Sequence, residues 1–174
     1  MKQKKIILLF FNFVVLISLI TIVFIIRKNN ELNKFKNYPR EIPEFSFQNA
    51  TQDHFTKDSL NKKHKTVFIF FMYGCFNCLL MFEYFLPLVD EMSEIQFIFT
   101  TTEKYENIIN YPEIKMYEGK QNVRFFGESN EFFKTFRVSV IPTVFFYSEQ
   151  HILIGKYESE IQFHKLKKFI KDKK

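Results

Sequence analysis

Two cysteines three positions apart, in Cys75-Phe76-Asn77-Cys78, are the residues of this 174-residue chain best placed to do chemistry. They follow Gly74 and open a stretch that reads as a helix. At a helix start, unpaired backbone N–H groups and the helix dipole stabilise a thiolate, so a thiol there acidifies and becomes a nucleophile. The spacing puts both sulfurs on one helical face within bridging range, and the pair can cycle between dithiol and disulfide with little backbone movement. By position, Cys75 is the exposed attacking thiol and Cys78, one turn in, is the thiol that resolves a mixed disulfide. The same residues also suit plain burial or half of a zinc site. A structural zinc site needs two more ligands, and His54, His64, His151 and His164 show no paired spacing. Redox chemistry is the favoured reading, with no metal or other cofactor.

The flanking elements must hold that pair. Thr66–Tyr73 is a continuous apolar run rich in β-formers and reads as a strand buried on both faces. Cys75 to about Met92 reads as a helix with Pro87 as a kink, and residues 95–101 as a second buried strand. Strand, helix and strand with short joins imply a right-handed parallel βαβ unit. Residues 128–136 look like a short helix. Val144–Tyr147 and His151–Tyr157, joined by a turn at 148–150, read as an antiparallel hairpin. A Lys-rich amphipathic helix from about Ser159 to Lys171 closes the chain, and residues 44–47 with 54–56 suggest a small added hairpin. The expected fold class is α/β, a mixed sheet with helices on both faces.

Val140-Ile141-Pro142-Thr143 enters the strand at 144–147. An Ile-Pro at this point, with this order of elements, resembles the cis-proline loop of thioredoxins, over roughly residues 43–171. The Ile42-Pro43-Glu44-Phe45 entry, the residues between Thr101 and Glu128, the segment 136–143 and Gly155 resemble one branch in particular. That branch is the membrane-anchored extracytoplasmic thiol-disulfide oxidoreductases of the TlpA/ResA type. The resemblance implies that Pro142 faces the cysteines and that the backbone at Ile141 pairs with an extended substrate; Tyr73 is a further candidate substrate contact. There are departures. Gly74 precedes Cys75 where the family usually has Trp, and Phe76-Asn77 separates the cysteines. No acid lies in 66–73, Met81 stands where the branch often has a helix Glu, and Glu83 reads as a solvated surface residue. A copper-handling relative would pair the cysteines with a distant histidine, for which His151 is the candidate.

Ile6–Ile26 carries no charge, and only Asn12, Ser18 and Thr21 are polar. A helix of that length crosses a hydrocarbon layer of roughly 30 Å. No small-residue cleavage site follows, so an uncleaved transmembrane anchor is expected. Residues 1–5 then lie in the cytoplasm, 27–42 form a tether, and 43–171 form the catalytic domain outside the bacterial inner membrane, on the periplasmic side, where target disulfides persist. The chain has 25 Lys+Arg against 19 Asp+Glu, a net +6. Lys2, Lys4 and Lys5 account for half of that excess, so nucleic-acid binding is not supported. The expected activity is thiol–disulfide exchange with protein cysteines, leaning to reductase or isomerase because no histidine lies between the cysteines. A reductant would need a membrane electron donor. The rival reading is a non-catalytic binding module. The 25 Phe are set aside as evidence, since genome bias would produce them equally well.

Overall fold

Runs such as Val67–Phe70, apolar at every position, pair only where both faces are covered, and that requirement organises the domain. The computed structural model describes residues 2–33, 35–48 and 54–158, with the side chains of 2–11, 28, 29, 31–33 and 48 outside the description. The expected closing helix at 159–171 lies outside the described residues. The chain divides into two units, Met1–Asn37 and Tyr38–Lys174.

The first unit is the helix α1, Lys2–Asn33. It continues past Arg27, so residues 27–33 are helical rather than the expected tether; Lys28, Glu31 and Leu32 are all good helix formers. Among the described residues no helix is long and apolar enough to cross a membrane. In α1 the side chains are described only for 12–27 and 30, and residues 6–11 of the expected span fall outside.

In the second unit a two-stranded hairpin pairs β1 (Ser46–Gln48) with β2 (His54–Thr56), antiparallel. A five-stranded sheet follows, built from β3 (Lys65–Phe70), β4 (Ile95–Thr100), β5 (Val123–Phe126), β6 (Thr143–Tyr147) and β7 (Leu153–Glu158), in the order β5-β4-β3-β6-β7. β4 runs parallel to β3 and to β5, whereas β6 runs antiparallel to β3 and β7 antiparallel to β6. The helices are α2 (Phe76–Glu91), α3 (Tyr105–Ile108), α4 (Pro112–Lys115) and α5 (Asn130–Thr135). α2 runs uninterrupted through Pro87. The edge strand β5 and the short helices α3 and α4 occupy the stretch between Thr101 and Glu128, to which the sequence assigns no element. β3 stops at Phe70, three residues earlier than expected, because Tyr73 N–H turns away from the ladder to a side chain. Residues 38–42, expected to be tether, belong to the domain. Ile42 is buried, Ile42 N–H bonds to His151 O, and Glu41 bridges to Ile152.

The phenylalanines set aside above build both layers. Strand alternation sends Val67, Ile69 and Phe71, with Phe97, Phe99, Val144 and Phe146, to the α2 face, where Phe82 and Phe85 meet them. Phe68 and Phe70 point to the other face and pack on Phe132 of α5, on Phe136 that caps this helix, and on Phe145. Phe45 and Phe47 cover that second layer from the hairpin side, each within 5.3 Å of the Phe132 ring centre. Each fully buried ring contributes roughly 1.5–3 kcal/mol.

Candidate active site

The carboxyl ends of β3 and β4 and the start of β6 meet at one end of the sheet, since Phe70 is level with both Thr100 and Thr143. The loop leaving β3 there turns through Gly74, whose φ of +73° lies in the left-handed region that side chains disfavour. Cys75 follows as the N-cap residue of α2, and its carbonyl accepts the amides of Cys78 at 2.9 Å and Leu79 at 3.2 Å. Its half-buried sulfur sits where the first helical amides are unpaired. Cys78, one turn on, is 1% exposed. Both thiols are free. Burial, and then the hydrogen bond that the Cys78 thiol donates to the Cys75 sulfur, push the Cys78 thiol far above the ordinary range, so it is protonated at neutral pH.

The Ile141–Pro142 peptide is cis, and Cys75 Sγ–H points at the Ile141 carbonyl oxygen, 3.9 Å away. Pro142 is buried and Ile141 half-buried. The loop is held in place by the Thr143 hydroxyl, which donates to Val140 O at 2.6 Å. A residue 66 positions along the chain thus roofs the first cysteine. Around the sulfur the surface is apolar: Met72, Tyr73, Phe76 and Val140 are all exposed, Phe76 by 71%. Tyr73, two residues before Cys75, is one of these exposed side chains.

Two residues at the site carry no sequence signal, Glu103 and Tyr111. Glu103 accepts the Tyr73 amide on Oε1 at 2.7 Å and the Tyr111 hydroxyl on Oε2 at 2.8 Å. The Tyr73 and Tyr111 rings stack with centres 3.9 Å apart and planes 22° apart. Burial and the neighbouring Glu103 carboxylate push the Tyr111 phenol up to about 12, so it remains a donor across the physiological range. Neither residue falls in a motif or at a helical spacing from the cysteines. Both are brought there by the segment joining β4 to β5.

His151 is not at the site. It sits in the β6–β7 turn, beyond Tyr147, which pairs with Thr66 at the far end of β3. A strand of that length, at about 3.3 Å per residue, separates it from the cysteine end by more than 10 Å, so the two cannot share an ion. Among the described residues no group of three or more His, Cys, Asp or Glu is disposed to hold a metal. Glu83 is exposed, as its place on the helix suggests.

No family model and no curated protein matches the chain. Solved structures do match in shape. A thiol:disulfide interchange protein of the thioredoxin family from Chlorobium tepidum superposes with a TM-score of 0.62 at 17% identity, over 77% of this chain and 95% of its own. The pneumococcal exposed lipoprotein thioredoxin Etrx1 of Streptococcus pneumoniae gives 0.56 at 15%, covering 75% and 99%. StoA from Bacillus subtilis gives 0.55 at 16%, covering 76% and 99%. With β3, the cysteine helix, parallel β4 and the cis-proline entry to β6 in this order, the fold of the described residues from Tyr38 to Glu158 is thioredoxin-like.

Proposed function

We propose that this chain is a membrane-anchored thiol–disulfide oxidoreductase acting on protein cysteines outside the cytoplasm. The observation that carries the reading is the cis Ile141–Pro142 loop seated on a half-buried Cys75 at a helix N-cap, with Cys78 buried behind it. In the reducing direction the Cys75 thiolate attacks one sulfur of a substrate disulfide. That S–S bond breaks and the departing substrate sulfur leaves as a thiolate. Cys78 then passes its proton to this thiolate and attacks Cys75, expelling the second substrate sulfur as a thiolate, which takes a proton from water, and closing the Cys75–Cys78 disulfide. Two electrons move from the pair to the substrate, and a dithiol donor at the membrane restores the pair. The high proton affinity of Cys78 supports the order, because only Cys75 is available for the first attack. The carbonyl of Ile141 and the apolar rim of Met72, Tyr73, Phe76 and Val140 suit an extended substrate segment.

Anchoring is supported by α1 itself. From Phe13 to Ile26 its large apolar side chains are exposed on every side of the helix, a surface that water does not tolerate and hydrocarbon does. Together with the uncharged run from Ile6, this suits a span of about 20 residues.

A Cys78→Ser variant tests the activity. It should accumulate reducible mixed disulfides on Cys75, visible as shifted bands on a non-reducing gel, and Cys75→Ser should abolish them. A variant that captures no partner thiol while Cys75 alkylates normally would mark a binding module instead. Carbonate extraction of membranes tests the anchor, since a chain released by that treatment does not span the bilayer.

A further inference from the structure

Glu103 and Tyr111 come from outside every element that the thiol chemistry needs, yet they meet the loop that delivers Cys75. That loop, Met72-Tyr73-Gly74, has left the β ladder at Phe71, whose amide makes the last bond to Thr100 O. The Tyr73 amide goes to the Glu103 carboxylate. Glu103 is itself fixed from behind. Its carbonyl accepts the Glu128 amide at 2.7 Å, and Ser129 N–H bonds to Thr101 O at 3.0 Å. Gly127 packs so close that any side chain there would collide with the backbone of residues 103–105. The other carboxylate oxygen holds the Tyr111 hydroxyl, and the Tyr111 ring lies flat against Tyr73. Tyr73 remains 59% exposed, two residues before the attacking sulfur.

We infer that Glu103 and Tyr111 are positioning residues that hold the Tyr73 ring as a rigid shelf beside Cys75, on which an aromatic or large apolar residue flanking a substrate cysteine stacks. The inference rests on the exchange activity proposed above and names the substrate feature that activity selects. An unsupported tyrosine on a glycine-containing loop would lose rotamer freedom on each encounter. Here the amide bond and the stacked partner remove that freedom before substrate arrives. A ring held by one face keeps the other available for stacking.

The test compares two reagents on the full chain. One is a synthetic peptide disulfide with Phe next to its cysteine; the other is iodoacetamide, which reads Cys75 reactivity without needing the shelf. Glu103→Ala should lower kcat/KM for the peptide about tenfold, mainly through KM, while alkylation stays within about twofold. Tyr111→Ala should do the same. Glu103→Gln should restore the peptide rate, because its amide oxygen still accepts the Tyr73 N–H and its amide nitrogen faces the Tyr111 oxygen. Replacing the peptide's Phe by Ser should reduce the wild-type rate and erase the difference between wild type and Glu103→Ala. Peptide rates that are unchanged in Glu103→Ala, or alkylation that falls in proportion, would overturn the shelf while leaving the exchange activity standing. A wild-type chain inert toward every peptide disulfide would overturn both.

Discussion

Replacing Gly127 by Ala perturbs the site through the backbone behind it, without altering any of its side chains. An ideal Cβ at this position lies 2.5 Å from Glu103 O, 2.5 Å from Tyr105 N and 3.0 Å from Lys104 C. Ordinary contacts of this kind begin near 3.4 Å. The obstacle is backbone, so residues 103–105 must retreat by about 1 Å, against the Glu128 N–H bond to Glu103 O. Overpacking of this sort costs about 1–3 kcal/mol. At about 4 °C per kcal/mol for a domain of this size, Tm should fall by roughly 4–12 °C. The displaced carboxylate should also release the Tyr73 amide, so amide hydrogen exchange at Tyr73 should quicken more than at Phe97 in the sheet centre. Thermal melts and residue-level exchange check both parts. A Gly127→Ala protein with unchanged Tm would refute the steric reasoning. A lowered Tm with Tyr73 exchange no faster than that of Phe97 would refute the coupling to the cysteine loop.

Two further outcomes concern buried polar atoms. Among the described residues the Thr100 hydroxyl is buried without a hydrogen-bond partner, so the isosteric Thr100→Val should leave stability unchanged or raise it by about 1 kcal/mol in urea titration; a loss of that size would mean the hydroxyl is bonded. Burial, and then the charges of Lys57 and Lys62, hold the His151 imidazole below its ordinary 6.5, so the folded state binds this proton less readily than the unfolded chain. Its contribution is therefore complete above pH 6.5 and is lost as pH falls below it. Urea midpoints from pH 7.5 to 5 should show that decline in wild type. They should show less of it in His151→Asn, which accepts the positive φ of 60° at this position; equal slopes in both proteins would discard the assignment.

The central layout was legible because local signals carry it. Apolar runs at 66–73 and 95–101 have nowhere to go but the middle of a covered sheet. A cysteine just after Gly74 marks a strand-to-helix hand-over, and Ile141-Pro142 before a β-forming run marks a second entry at the same end. The hairpin at 144–157 also followed from two β-forming runs about a polar turn, although β7 begins two residues later than expected because 151 and 152 are held by Ser148 and by the strap at 40–42. β5 escaped notice because Val123–Phe126 is four residues long, on an edge, and preceded by two one-turn helices whose periodicity is too brief to read.

Thus the pattern along the chain was enough to determine a buried parallel core, a redox-suited cysteine pair and an apolar amino-terminal helix, because each depends on neighbours within a few residues. The place of Ile141 and Pro142 at the cysteine end was implied by the family resemblance, and the tertiary structure supplied the contact of the Ile141 carbonyl with Cys75. It alone decided the rest: His151 goes to the opposite end, and Glu103 with Tyr111 closes on Tyr73. Those meetings follow from strand register and from the path of one irregular segment, and neither leaves a period or spacing in the sequence.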